Sequence, residues 1–364
     1  MRVLAISSYP RQAASTRFRV GQFIAPLRER GIELDLQPFL SEKLFTEIYR
    51  PGNLASKAAD IARGLAKRTI EIVGLRNYDL LFVQREAMFF GPEIFEWIYR
   101  KIGRMPLVLD LDDATYVGYK SPTYGKLGSV LKCFGKTDRL IKASARVICG
   151  NRFIAEYAAA LGATTEIIPT VADTDVFRPA ERKNDPPIIG WIGTHSTFAS
   201  VEKLFPILER LAARYRFRLK IVGAAKERIE LNGVPTENLK WSLEREPIDF
   251  ASLDIGLYPI FAVPHASEEW ILGKSGFKAI QYLACGVPFV MSPVGIAAEI
   301  GIAGETHFNA RSLEDWYNCL EQLLNDLGLR QKMGNRGRQY ALENYTVEKQ
   351  AEKLAEVFQT AKSG

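Results

Sequence analysis

Three places in the chain concentrate side chains able to do chemistry. The first is the run LVLDLDDATY, in which Asp110, Asp112 and Asp113 close a hydrophobic strand. Three carboxylates at one strand end repel one another unless they meet water, a cation or a hydroxyl-bearing ligand. The second is WILGKSGFKAIQYLACGVPFV (270–290), where a small flexible loop, Gly273 to Gly276, feeds a helix from Phe277 to Leu283 that ends at Gly286 before a buried strand. Such a turn offers backbone N–H groups and the positive end of a helix dipole to a phosphate, and Lys274, with Lys278, would add formal charge. An ordinary loop and helix cap is the bland alternative. The third is the first turn, SSYPRQAASTRFRVGQF, which offers Ser15, Thr16, Arg17 and Arg19. Arginine forks bind phosphate bidentately, so Arg17 and Arg19 could engage a diphosphate or an anionic acceptor; helix-surface salt bridging is the competing role.

The elements that must position these residues alternate short apolar blocks with amphipathic stretches, which predicts βα units and parallel sheets. Strands are expected at Val3–Ser7, Ile32–Leu36, Leu80–Gln84, Leu107–Asp110 and Arg146–Cys149, with helices at Arg17–Arg30 and Glu93–Ile102. The stretch EIIPTVADTDVFRPAERKNDPP, with four prolines and a charged run, reads as a domain linker. After it the pattern restarts with PIIGWIG, a helix Ser200–Arg214, the strands RLKIVG, DIGLYPI and PFVMS, and closing helices from Leu313. Two α/β halves of this kind would leave a cleft between the carboxyl ends of two sheets, where small ligands bind. In 54–73, Leu54, Ala58, Ile61, Leu65 and Ile72 share one side and Lys57, Arg63, Lys67 and Arg68 lie elsewhere. That pattern fits a membrane-surface helix, although a core-facing helix is the favoured reading.

With 364 residues, two domains are expected, and a 47% hydrophobic, 25% charged composition excludes a disordered or fibrous chain. No apolar run reaches the roughly 18 residues of a membrane span, and the opening block Val3–Ile6 is too short for a signal-peptide core. A cytoplasmic protein is therefore expected, with the membrane surface open to it. Four cysteines without a CxxC, and His195, His265 and His307 at no ligand spacing from them, argue against a zinc site or disulfide framework. The excess charge is in the first half: 1–180 holds 26 Lys/Arg and 19 Asp/Glu, net +7, whereas 181–364 holds 22 and 23, net −1. Within it, 118–146 carries seven bases against Asp138, which suits phosphate or lipid head groups as well as a solvated helix face.

The 270–290 segment resembles the nucleotide-sugar site of retaining glycosyltransferases, in particular glycosyltransferase family four on the GT-B fold. The family's run EGFGLxxLEAMACGxPVV aligns with ACGVPFV at 284–290, placing its second Glu on Gln281 and its first on Gly273. Neither acid is present. In the family the second Glu holds the donor ribose; Gln281 keeps the length and hydrogen bonding without the charge. The first lies close to the donor sugar, and Glu268 or Glu269 would have to replace it. PTVADTDVFRP is similar to the interdomain signature NGVDxxxFxP, with Asp173, Phe177 and Pro179 in register. IGWIGTHS and LKIVGAA are similar to the strands that open the nucleotide-binding domain. By this resemblance Gly193, Thr194 and His195 face the donor phosphates.

Three readings of the aspartates compete. A DxD metal site belongs to glycosyltransferases of the other fold and leaves the second α/β half unexplained. A magnesium-dependent phosphatase would use Asp110 and Asp112 in a DxDx[TV] loop, but the fifth residue is Ala114 and Thr115 falls one place late. The favoured reading sets Asp112 where many family members have an acceptor-side His, with Asp112 or Asp113 orienting an acceptor hydroxyl; helix N-capping by Asp113 is its structural alternative.

The resemblance thus implies an α/β protein of GT-B type, two doubly wound Rossmann-like domains facing a central cleft. Residues 1–180 would bind the acceptor, with a C-terminal helix 346–361 packed back on them, and 181–345 would bind the donor. The expected activity is a retaining, metal-independent hexosyl transfer from a nucleotide-diphosphate sugar to a glycan or lipid-linked hydroxyl in cell-surface polysaccharide, lipopolysaccharide or glycolipid synthesis. Asp112, Asp113 and Lys274 are the expected catalytic residues. Gly193, Thr194, His195, Lys274, Ser275, Gly276, Phe277 and Gln281 are the expected donor contacts, Glu268 and Glu269 sugar contacts, and Arg17 and Arg19 acceptor or phosphate contacts. No cofactor, metal or nucleic acid is expected, and an anionic inner membrane face is an expected partner of the basic first half. A non-catalytic nucleotide-sugar or glycan-binding protein is the alternative from another class; a nicotinamide dehydrogenase is disfavoured because no GxGxxG follows the first strand.

Overall fold

Strands that are apolar along their whole length, rather than alternately, must be covered on both faces, and this is the condition of a parallel sheet between helix layers. The computed structural model of the chain, which describes residues 1–48, 52–118, 131–261 and 268–363, contains two such sheets. Residues 119–130 of the basic stretch and His265 lie outside the described residues. The first sheet comprises β1 (Arg2–Ser7), β2 (Glu33–Pro38), β3 (Leu80–Gln84), β4 (Leu107–Leu111), β5 (Arg146–Cys149) and β6 (Thr165–Ile167), in the order β2-β1-β3-β4-β5-β6. The second comprises β7 (Ile188–Ile192), β8 (Arg218–Val222), β9 (Thr236–Leu239), β10 (Ile255–Tyr258), β11 (Phe289–Met291) and β12 (His307–Asn309), in the order β12-β11-β10-β7-β8-β9. All pairings are parallel, so both sheets are doubly wound, as expected. The order reverses between β1 and β3 in one sheet and between β7 and β10 in the other.

Two compact units follow from this arrangement. The first takes Met1–Thr170, Gly273–Ser275 and Val347–Gly364; the second takes Val171–Leu272 and Gly276–Thr346. The last helix, Val347–Ser363, joins the first core through Phe358, whose ring meets that of Phe82 at 5.1 Å, and Lys362 reaches Asp79 at 3.0 Å. The Pro-rich stretch is packed rather than loose. Phe177 is buried, and Arg338 donates to the carbonyls of Phe177 and Thr174.

Both long helices expected across a proline are divided. Arg17–Arg30 resolves into Ala14–Arg19, a 3-10 turn Gly21–Phe23 and Ile24–Glu29, and Ser200–Arg214 into His195–Glu202 and Phe205–Ala212. Pro26 and Pro206 lack an N–H and are tolerated only in a first helical turn, so each starts a new helix near itself. The helix Leu54–Glu71 buries Ile61 and Leu65 partly against the core, but Leu54 and Ala58, expected on the same side, are exposed.

One glycine ties the second core to its loops. Gly223, just past β8, has φ +86, and a Cβ there would stand 2.2 Å from the carbonyl oxygen of Gly193. Backbone cannot yield as a flexible side chain can, so both conformation and space exclude a side chain. Gly223→Ala is expected to lose about 3 kcal/mol of stability in urea denaturation, whereas Gly233→Ala, positive in φ but near only Ala212 at 3.9 Å, loses less.

Candidate active site

In doubly wound sheets the loops at the carboxyl ends gather around the point where strand order reverses, which is where ligands bind. In the second unit that point lies between β7 and β10, paired through Ile189↔Ile255 and Gly190↔Gly256. A Cβ on Gly256 would lie 2.7 Å from the Tyr282 ring, and the Tyr282 hydroxyl, shared between two carbonyls, donates to Leu257 O at 3.1 Å and Gly190 O at 3.3 Å. The strand glycine thus makes room for that ring and presses the helix Phe277–Ala284 onto the sheet. Its first turn opens at Gly276 beside the end of β10.

Beyond β7, Gly193 N–H donates to Val222 O at 3.0 Å, and Thr194, His195 and Ser196 stand exposed at the start of the helix His195–Glu202. Lys278, one residue into the facing helix, lies 5.9 Å from the Trp191 ring and 6.0 Å from the Tyr258 ring, on β7 and β10 respectively. It is a cation that the second unit brings to its switch point. Gln281, a turn further in, is buried and donates to Glu246 at 3.2 Å; Glu246 is itself nearly buried at the start of the helix Glu246–Ala251. The structure therefore brings Gly193, Thr194, His195, Gly276, Phe277 and Gln281 to the loops and first helical turns at one sheet edge. Glu268 and Glu269 are exposed on the short helix Glu268–Leu272.

The first unit handles its three aspartates with arginines. Asp110 is 1% exposed and accepts from Arg19 Nε at 3.0 Å, and Arg19 Nη1 donates to Ile168 O at 2.7 Å. Burial opposes the Arg19 charge, but Asp110 outweighs it and holds the guanidinium above its ordinary value. Arg19 is thus spent on an internal pair instead of facing a phosphate, and Asp110 is closed to a phosphatase nucleophile's role. Arg17 is half-buried, its guanidinium 4.3 Å from the Phe18 ring. Asp112 is bound by Arg85, whose Nη2 donates at 2.8 Å to Asp112 and at 2.8 Å to Asp113. Burial works against the Asp112 carboxylate, yet the Arg85 charge and hydrogen bonds, with Arg19 behind them, hold it below the usual carboxylate range. Asp113 is the least buried of the three, its side chain 38% exposed, and it caps no helix among the described residues. Among the described residues no three His, Cys, Asp or Glu side chains are grouped to hold a metal ion.

Lys274 and Ser275 belong to this unit too. Asn151, which caps the helix Arg152–Ala160 through Ile154 N–H, also donates to Gly273 O at 3.3 Å and Lys274 O at 3.2 Å. Burial lowers the Lys274 pKa, Asp113 raises it and Arg85 lowers it further. A Cβ at 273 would lie 2.3 Å from that of Ala114, so no acid fits at that position. Arg85, Asn151 and Glu246 were not foreseen. Arg85 follows the end of β3 directly and Asn151 lies two residues past the end of β5, placements that could have flagged them, whereas Glu246 carries no such signal.

No protein-family model matches the chain, and no curated protein matches it. Among solved structures it resembles sucrose-phosphate synthase from Thermosynechococcus elongatus, with TM-score 0.67, 13% identity and all of both chains covered. It also resembles HepE from Anabaena in complex with UDP-glucose, with TM-score 0.65 and 14% identity over 99% of this chain and 100% of that one. A glycosyltransferase from Rickettsia africae gives TM-score 0.65 and 13% identity over 99% and 98%. The architecture is therefore that of GT-B proteins, two doubly wound α/β domains.

Removing Arg85 tests the charge pairing. Because the folded pKa of Asp112 lies below its unfolded value of about 3.9, the pair stabilises fully above that value and its contribution is lost as pH falls through the folded pKa. Arg85→Met should cost about 3 kcal/mol at pH 7, an uncompensated buried charge, and the gap to wild type should close in acid-side denaturation curves. Adding Asp112→Asn should recover part of the loss.

Proposed function

We propose that the chain transfers a sugar from a nucleotide-diphosphate donor to a hydroxyl of a glycan or lipid-linked acceptor, with retention of configuration and without a metal ion, in the manner of glycosyltransferase family four. The observation that carries this reading is the second unit's switch point, where two loop-to-helix turns, Gly193–His195 and Gly276–Phe277, begin at adjacent strands beside Lys278. Backbone amides at two helix starts plus one ammonium form a receptor for a diphosphate. That the similar HepE structure holds UDP-glucose supports the choice of a nucleotide sugar over other phosphates.

Gln281 and Glu246 are proposed to hold the ribose hydroxyls, the carboxylate lost from the resembling motif being supplied from a neighbouring helix. Asp113, steered by Arg85, orients the acceptor hydroxyl, with Asp112 a positioning residue and Arg17 a contact for an anionic acceptor. In the transfer the acceptor oxygen bonds to the anomeric carbon as its bond to the diphosphate oxygen breaks, and the acceptor proton passes to the departing diphosphate. The chain contributes positioning and charge stabilisation of the leaving group. Cell-surface polysaccharide, lipopolysaccharide or glycolipid synthesis at the inner face of the membrane is the proposed setting.

Calorimetry with UDP, GDP, ADP and their sugars, followed by NMR of any product, tests the reading. One nucleotide should bind, and its sugar should be transferred with the anomeric configuration kept and no loss on adding chelator. Lys278→Ala should lower kcat/KM by about 10²-fold with an unchanged melting temperature. Glu246→Gln should erase the preference for the ribonucleotide over its 2′,3′-dideoxy counterpart. Binding of none of these nucleotides refutes the proposal, and binding without transfer to any acceptor would recast the chain as a nucleotide-sugar receptor.

A further inference from the structure

The first unit carries an outward face that sugar transfer does not use. The helix Leu54–Glu71 turns Ile61, Leu65 and Arg68 toward the core, which leaves Ala59, Ala62, Ala66 and Ile70 exposed at helical spacing, continued by Val73 in the 3-10 turn Ile72–Asn77. Ile70 is 71% exposed and Val73 89%. This turn packs against the helix Ile94–Gly103, which buries Phe95, Glu96 and Tyr99. The same helix exposes Ile94 at 52% and Trp97 at 60%, with Lys101 and Arg104 following on that face. Single exposed apolar residues are ordinary, but a tryptophan and three β-branched side chains on adjoining elements mark an interaction surface.

Charge selects the partner. Every acid of these elements is engaged internally. Glu71 accepts from Arg68 at 2.9 Å and from the Tyr99 hydroxyl at 2.6 Å, Glu96 accepts from Ala87 N–H at 2.8 Å, Glu93 pairs with Arg139, and Asp60 with Ser41 and Arg63. The bases Arg76, Lys101 and Arg104 are exposed and have no hydrogen bond or ion pair among the described residues. An apolar centre with a tryptophan, rimmed by unpaired cations and stripped of free carboxylates, matches the interface of an anionic bilayer, where indole and aliphatic groups enter the head-group boundary and each base gains from the surface potential.

We propose that this face docks the protein on an anionic lipid surface, independently of any sugar transfer. Its test is co-sedimentation with phosphatidylcholine vesicles, with and without phosphatidylglycerol, at low and high salt. Wild type should bind only the anionic vesicles and release them in salt. Arg76→Glu/Lys101→Glu/Arg104→Glu should weaken partition by at least about 100-fold, from about fivefold per base. Ile70→Ser/Val73→Ser/Trp97→Ser should also detach the protein, at unchanged melting temperature since these side chains are exposed. Ile248→Ser, exposed at 66% in the second unit, should bind as wild type. Wild type that ignores anionic vesicles, or triple variants that bind undiminished, overturns the proposal. So does a concentration-dependent dimer that the apolar triple variant abolishes, which would assign the face to a second copy of the chain.

Discussion

Both sheets are parallel throughout, with their central strands buried on both faces, and that single constraint decides where chemistry can occur. Each crossover returns the chain to the same edge, so every strand delivers its loop to one side, and the polar residues excluded from the layers collect there. The second unit uses the constraint to set two helix starts beside adjacent strands, with Tyr282 seated over Gly256 fixing how closely one of them approaches. The first unit uses it to end β4 in aspartates, a placement tolerable only because Arg19 and Arg85 reach in from other segments.

The arginines divide three similar acids into distinct roles. Asp110 is sealed in the interior and ties the first helix and the end of β6 to β4. Asp112 is ionised but enclosed, which makes it an anchor for Arg85. Asp113 shares that guanidinium while remaining partly exposed, so it alone can address a ligand. A carboxylate oriented by a buried ion pair suits the positioning of a neutral hydroxyl.

Much of this was legible in the sequence. The five strands of the first half and the restart after the prolines are visible because buried parallel strands are continuous apolar blocks, and Leu80–Gln84 and Arg146–Cys149 were placed to the residue. The short outer strands Thr165–Ile167, Thr236–Leu239 and His307–Asn309 were hidden because strands at a sheet's margin need no such block. At the site, the glycine-rich turn announced the helix start at Gly276. What stayed unreadable were partnerships across sequence distance: Arg19 with Asp110, Gln281 with Glu246, Arg85 with two aspartates. Composition shows the charges, but only folding decides which of them are consumed.

The loops after β7 and β10 are proposed to receive the diphosphate of an activated sugar. Amide hydrogen exchange, followed with and without the nucleotide sugar that binds, addresses this directly. Slowed exchange at Thr194–Thr197 together with Phe277–Gln281 is predicted, with the amides around Gly233 unchanged. Protection confined to other segments while these two exchange at their free rates would contradict the account.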